Sequence, residues 1–277
     1  MAWVSERIPD VDLLSSRDNP RIKHLHALAS SARDRRKHGE TVLDGAHLIQ
    51  AAIQAGMGLK AVYVSESGLA GVEIAALVAD LPPGTPLTQL TDPLFSHVSP
   101  VDSPSGVLAL VDVPEQTGLP ACEASLIVLD AVQDPGNLGT ILRTAAAAGI
   151  ETAWLTPGCA QAWSPRVLRA GMGAHFRLKV REQVDALGAL ADYPGRVLAT
   201  GLTYSARPLY ALDLDGPVAW LFGAEGQGVS PFLLARADQI VTIPMADGIE
   251  SLNVGAAAAV CLFEQMRQRQ FSHSGRA

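Results

Sequence analysis

The chain has 277 residues, of which 48% are hydrophobic and 18% charged, with a formal net charge of −7. This is ample apolar material for one large domain or two ordinary ones, and it excludes a globally disordered chain. The acidic balance argues against a nucleic-acid partner for the surface as a whole, so any such contact must come from a local excess of basic residues.

That excess exists. Within residues 15–38 lie Arg17, Arg21, Lys23, Arg33, Arg35, Arg36 and Lys37, against Asp18 and Asp34 alone. Such a segment can track a phosphate backbone; it is equally the pattern of a solvated helix face. The segment reads as a short helical arm opened by Asn19-Pro20, with Ile22, Leu25, Leu28 and Ala29 at helical spacing. Residues 41–43 then form a strand, 45–55 a helix ended by Gly56, and 59–64 (LKAVYV) a strand. A helix over 72–80 stops at Pro82-Pro83-Gly84, a short element follows over 94–98, and GVLALVDV, 106–113, is a strand. Strands alternating with helices over this length suggest a small α/β domain. His47 reads as structural or partly exposed rather than as a ligand. The stretch PEQTGLPACE, 114–123, is rich in turn residues and lacks hydrophobic period, so the domain boundary is placed there.

The second half alternates again. Strands are expected over 125–129, 153–155, 196–199, 217–222 and 240–243, and helices over 138–148, 164–174 and 230–237. Ser164-Pro165 and Ser230-Pro231 are cap and first-turn pairs. The whole reads as an α/β domain with a mostly parallel sheet. A long helix from about 252 to 269 closes the chain, with Ser251 or Asn253 able to cap it. Its first half, 254–263, carries no charge on any face, so it is expected to be covered all round, by the sheet and by a second element or subunit.

Cys122, Cys159 and Cys261 are widely spaced and odd in number. They fit neither a disulfide framework nor a zinc site, and they suggest a reducing, cytoplasmic setting. Glu6, Arg7, Asp10 and Asp12 break any leader pattern at the start, and no uncharged run is long enough to span a bilayer. No membrane partner and no metal are expected.

In open α/β sheets, ligands sit beyond the carboxyl ends of the strands. Three chemically unusual loops occupy that position here. The first, Gln133-Asp134-Pro135-Gly136-Asn137-Leu138-Gly139, leads into a helix carrying Arg143. Its glycines and helix N–H groups suit an anion or a polar edge, and a permanently charged guanidinium suits phosphate or a developing oxyanion, although such an Arg is often only a surface ion-pair partner. The second, Gly223-Ala224-Glu225-Gly226-Gln227-Gly228, lets backbone approach a ligand, but its glycine order is not that of a dinucleotide fingerprint. The third is MADGIESLN, ending at Asn253. No triad, paired-carboxylate set or HExxH is apparent.

DPGNLGTILRTAAAAG, LFGAEGQGVS and IPMADGIESLNVGAAAAVCLFEQMRQR resemble, in order, the three motifs of SpoU/TrmH-type RNA ribose 2′-O-methyltransferases of the SPOUT superfamily. SRDNPRIKHLHAL and LDGAHLIQAAI are similar to the small L30e-like RNA-binding module that many members carry. The basic arm is taken as 1–40, and the resemblance implies an L30e-like domain over 41–113 and a SpoU methyltransferase domain over 124–277. It also implies a trefoil knot, which periodicity does not suggest because knots are nearly absent from proteins, and a homodimer through the C-terminal helix. The implied activity is methyl transfer from S-adenosylmethionine to a ribose 2′-hydroxyl of RNA, with ribosomal RNA the expected substrate and transfer RNA the alternative. Arg143, Asn137, Glu225 and Asn253 are the implied catalytic set: Arg143 on the target ribose and phosphate, Asn137 holding the target or Arg143, Glu225 positioning nearby groups, Asn253 completing the site. Thr200, Gly201, Gly223, Ile243, Met245 and Leu252 are implied to grip the cofactor. The competing readings are a non-catalytic RNA-binding protein of the same fold, which departure from those four residues would favour, and a Rossmann-type nucleotide enzyme, which needs an early GxGxxG that the chain lacks.

Overall fold

The computed structural model describes residues 12–101, 103–116, 118 and 122–274. The chain forms two compact units, one of residues 1–115 with Trp163–Phe176, the other of Gln116–Ala162 with Arg177–Ala277.

The first unit begins with β1 (Leu13–Leu14), α1 (Pro20–Ser30) and α2 (Ala32–His38). It continues through β2 (Glu40–Asp44), α3 (Ala46–Gln54), β3 (Leu59–Ser65), α4 (Glu66–Leu69) and α5 (Val72–Ala79) to β4 (Leu87–Leu90), α6 (Asp92–Val98) and β5 (Val107–Asp112). Its mixed sheet runs β1-β4-β3-β5-β2, parallel in its first two pairings and antiparallel in the others. Ile22, Leu25 and Leu28 of α1 bury their spaced side chains against Val42, Tyr63, Leu90 and Leu108. Asn19 caps α1, accepting from Arg21 N at 2.9 Å, with Pro20 in the first turn.

The arm is two helices, not one. Ser31 adopts extended backbone between them, and its hydroxyl caps α2 by accepting from Asp34 N at 3.2 Å. The basic residues divide accordingly. Arg33, Arg36 and Lys37 are exposed, whereas Arg35 is buried and donates through Nη1 to Leu28 O at 2.7 Å, tying α2 to the end of α1. Arg35 is therefore an internal strut and drops out of the phosphate-tracking set.

The second unit starts with β6 (Leu126–Asp130), α7 (Pro135–Ala147) and β7 (Thr152–Leu155). The next helix, α8 (Pro165–Gly171), belongs to the first unit, and the chain re-enters the second with β8 (Lys179–Arg181). There follow α9 (Ala186–Ala189), β9 (Arg196–Thr200), β10 (Arg207–Pro208), β11 (Val218–Gly223), α10 (Pro231–Arg236), β12 (Gln239–Thr242) and α11 (Val254–Ser274). The seven strands are ordered β10-β12-β9-β11-β6-β7-β8, and every pairing is parallel. Central strands buried on both faces read as continuous apolar runs. Leu126, Val128, Ala219, Leu221, Val197 and Ala199 face one core with Leu190 and Leu233. Trp220, on the alternate face, donates through Nε1 to the buried Gln265 of α11 at 2.9 Å.

Within the first unit, α8 packs beside β2. There the carboxylate of Asp44 is fully buried, bonded to the Ser105 hydroxyl and paired with Arg169 Nη1 at 3.1 Å. Burial pushes the Asp44 carboxyl above the usual range, against the opposing pull of Ser105 and Arg169. The helix ends sooner than its apolar period suggests, because Met172 takes up left-handed backbone at φ 46° and closes it.

Candidate functional site

The three loops lie at the carboxyl ends of β6, β11 and β12, and a short hydrogen-bonded relay joins them. Asp134 opens the first: its Oδ1 accepts from Asn137 N at 2.7 Å, capping α7, while Pro135 fills the first turn where no N–H is needed. This fixes Asn137 in the first turn of the helix. In the second loop Gly228 N donates to Ala224 O at 2.8 Å, closing a tight turn whose tip presents Glu225. That turn needs its glycines. Gly226 and Gly228 have φ of 82° and 70°, and a Cβ on Gly223 would lie 1.9 Å from the backbone carbon of Gly228. At the third loop Asn253, rather than Ser251, caps α11. Its Oδ1 accepts from Gly255 N at 2.9 Å and Ala256 N at 3.3 Å.

Those caps set the direction of every other bond. With its oxygen committed to backbone N–H groups, Asn253 can offer only its amide nitrogen, and it donates to Asn137 Oδ1 at 2.9 Å. Asn137 then donates through Nδ2 to Glu225 Oε1 at 2.6 Å. One residue from each loop thus enters a single chain, at the rim of a cleft of about 610 Å³. Thr200, Gly201, Gly223, Ile243, Met245 and Leu252 all line that cleft, together with Glu225 and Asn253.

Arg143 is placed differently. It lies six residues beyond Asn137, about 9 Å along the axis at 1.5 Å per residue. It does not line the cleft, it is exposed, and it makes no hydrogen bond or ion pair among the described residues. Gly136, Thr140 and Ala147 share its solvent-facing stripe on α7. The neighbouring α11 packs closely on α7 where Gly255 meets Thr140; a Cβ on that glycine would come within 3.3 Å of the Thr140 methyl. The uncharged half of α11 is not covered all round within the chain. Ala256 and Phe263 are exposed, Phe263 by 46%, and Val254, Ala257, Ala259 and Val260 are partly so.

One residue of the site's framework escapes a reading of the sequence. Asp130 ends β6 opposite Gly223. Its Oδ2 accepts from Ser230 N at 2.7 Å and its Oδ1 from the Thr156 hydroxyl at 3.0 Å. Thr156 Oγ1 in turn accepts from the N–H of Ala131, a residue held at φ 53°. Asp130 thereby pins the start of the first loop to the end of the second. A lone acid at a strand end gives no signal in sequence, and its partners are far along the chain. Burial pushes the Cys159 thiol up to about 11 and that of Cys261 to about 12, which disfavours the thiolate at both. Among the described residues there is no cluster of metal-ligating side chains, and no helix is long and apolar enough to cross a membrane.

A parallel sheet with a glycine-walled cleft beyond its strand ends, fronted by amides and a carboxylate, is the arrangement in which α/β proteins hold small-molecule ligands. Residues 124–263 match the SpoU rRNA Methylase family, and residues 19–109 match the MRM3-like substrate binding domain. The chain belongs to the SpoU rRNA methylase family. It is 30% identical to the 23S rRNA (guanosine(2553)-2′-O)-methyltransferase RlmP of Bacillus subtilis, over 90% of this chain and 97% of that protein. It superposes on the crystal structure of an RNA 2′-O ribose methyltransferase with a TM-score of 0.81 and 32% identity, covering 93% and 99% of the two chains. An AdoMet-bound rRNA methyltransferase from Sinorhizobium meliloti gives a TM-score of 0.78 with 27% identity, covering 93% and 98%.

Proposed function

We propose that this protein transfers a methyl group from S-adenosylmethionine to a ribose 2′-hydroxyl of ribosomal RNA in the cytoplasm. The observation that carries the reading is the Asn253–Asn137–Glu225 relay across three loops at the mouth of a glycine-walled cleft. The cleft has the volume of a cofactor site, and its wall at Gly223 has no room for a side chain. Thr200, Gly201, Gly223, Ile243, Met245 and Leu252 would hold the cofactor, largely through backbone. When bound, it supplies a methyl group already activated by its sulfonium.

The protein's own task is alignment and electrostatics. Glu225 and the two asparagines fix the rim of the cleft. Arg143, exposed and unpaired among the described residues, is the cation that meets the target's phosphate and favours charge emerging on the ribose oxygen. The first unit, with 41–113 as its L30e-like module and 114–123 as the linker beyond it, binds the RNA, and Arg33, Arg36 and Lys37 track its backbone. The exposed apolar face of α11 is covered by a second copy of the chain, giving a homodimer through the C-terminal helix. A trefoil knot belongs to the same reading, and the packing of α11 onto α7 and β11 after β12 has paired with β9 supports it.

The test pairs Arg143→Ala with the unaltered protein. Calorimetry with S-adenosylmethionine is expected to give matching affinities, and tritium transfer to ribosomal RNA from cells lacking the protein is expected to vanish in the variant. Retained turnover removes Arg143 from the site. An rRNA methylation map that is identical with and without the protein removes the reading itself.

A further inference from the structure

We propose that Tyr204 is a stacking platform for the nucleobase of the nucleotide whose ribose enters the cleft, and so a positioning residue for the RNA rather than for the cofactor. This rests on the ribose-methylation reading and extends it to how the nucleotide is presented.

The argument begins where β9 ends. Thr200, Gly201 and Leu202 line the cleft, and the chain then turns sharply. Ala206 N donates to Thr203 O at 3.0 Å, the Thr203 and Ser205 hydroxyls lie 3.2 Å apart, and Gln239 Nε2 reaches Ser205 O at 3.4 Å. The turn is thus held by its polar residues and by backbone, and nothing in it requires an aromatic ring. Small and polar residues dominate such positions because they satisfy or relax the backbone. Tyr204 nevertheless occupies the turn's centre with a relative exposure of 113%, so its ring buries nothing within the chain. Leaving a side chain of this size in water forgoes the stabilisation that burying an aromatic ring brings. A single exposed aromatic is ordinary; the setting of this one is not. It stands two residues beyond a cleft-lining position. Arg207, exposed, follows at the start of the edge strand β10, and Tyr210, 60% exposed, lies just after it.

Aromatic rings interleaved with a guanidinium at a rim match how proteins hold unpaired RNA bases. The ring takes the base's face and the cation takes the backbone or the base's other side. A methyl acceptor on ribose must be held in line with the donor, and a stacked base loses the rotational freedom that would carry its 2′-hydroxyl out of line. The cofactor is a poorer occupant for the ring, because the residues facing the cleft from this loop are Thr200, Gly201 and Leu202, before the turn is made.

The experiment uses the full-length protein with ribosomal RNA from cells that lack it. Tyr204→Ala is expected to weaken RNA binding on filters and to raise KM for RNA by about tenfold, the usual cost of removing one base-stacking ring. Calorimetry with S-adenosylmethionine should be unchanged. Tyr204→Phe and Tyr204→Trp keep the ring and should stay within about twofold of the unaltered protein. An unchanged KM in Tyr204→Ala overturns the proposal. So does a Phe variant as defective as the Ala variant, which would assign the role to the hydroxyl. A loss of cofactor affinity overturns it as well, making the loop a cover for the cofactor. Wild-type protein that binds this RNA but transfers no methyl overturns the methylation reading and this inference together, whereas an active wild type with an indifferent Tyr204→Ala overturns this inference alone.

Discussion

Asn253 does two jobs with two atoms, and they can be separated. Its oxygen caps α11 through Gly255 N and Ala256 N, and its nitrogen starts the relay to Asn137 and Glu225. Asn253→Ala removes both. Loss of an N-cap costs about 1 kcal/mol, within a range of roughly 0.5–2, and the lost relay bond adds about 0.5–1.5. At about 2–4 °C per kcal/mol for a chain of this size, the melting temperature should fall by roughly 2–14 °C. Asn253→Asp separates the roles. A carboxylate still accepts from both N–H groups, and its charge suits the positive end of the helix. It cannot donate to Asn137. If Asn137 turns its amide over to compensate, its carbonyl faces the Glu225 carboxylate across a contact now made at 2.6 Å. One bond of the relay is lost in either orientation. The Asp variant keeps the cap and loses only the relay bond, which the charge at the helix start partly offsets, so its melting temperature should fall by less than that of the Ala variant. Yet it should transfer methyl more slowly, by roughly two- to tenfold if the neutral bond to Asn137 is the one lost and by up to roughly a hundredfold if it is the charge-assisted bond to Glu225.

Differential scanning calorimetry and tritium transfer read the two effects on the same preparations. Because the relay acts as a unit, Asn137→Ala combined with Asn253→Asp should be scarcely slower than either alone. An Asp variant that melts as low as the Ala variant means that capping was misassigned. An Asp variant that turns over at the wild-type rate means the relay does not position anything.

Two further outcomes follow from the first unit. Neutralising Arg33, Arg36 and Lys37 together should weaken RNA binding and flatten its dependence on salt, whereas Arg35→Ala should lower the melting temperature and leave the salt slope alone; an unaltered slope in the triple variant removes the arm from the interface. Asp44 holds its proton to higher pH in the folded chain than the free carboxylate value of about 3.9, so the stability it contributes is present below that value and is lost as pH rises through its folded pKa. Asp44→Asn, with no proton to release, should gain in melting temperature relative to wild type as pH rises above about 4, and a relative loss over that rise contradicts the burial argument.

Much of this architecture can be read from the residues. The alternation of strands and helices in the second half gives the parallel sheet, and the Ser-Pro pairs at 164–165 and 230–231 do open helices. What stays hidden is hidden for physical reasons. The strand Leu87–Leu90 is four residues long and half polar, so neither period nor composition marks it. The break between α1 and α2 falls at Ser31, with no glycine or proline to announce it. The early end of α8 depends on a left-handed methionine, a conformation that no local preference favours. That Trp163–Phe176 belongs with the first unit depends on partners more than a hundred residues away, such as the contact of the Thr41 hydroxyl with Trp163 O at 2.6 Å. Sequence has no short-range trace of it.

The site divides along the same line. Its asparagines, glutamate and glycines stand out as motifs, but the motifs do not say why amides are required. Hydrogen-bond direction does. The relay begins at backbone N–H groups, which only donate, and ends at a carboxylate, which only accepts. Every link between must accept on one side and donate on the other, at a fixed span, from a side chain short enough to stay rigid. Asparagine meets all of these conditions. Aspartate cannot donate, serine is too short to bridge the two loops, and glutamine adds a rotatable bond whose freedom is lost on ordering. The chain also runs from the positive end of α11 to a negative charge, so each bond polarises the next in the same sense. The identity of Asn137 and Asn253 thus follows from which groups each helix start leaves unpaired, and it would hold for any second substrate the cleft received. The specificity for RNA has to come from residues outside the relay, which is where Arg143, the exposed face of α2 and Tyr204 stand.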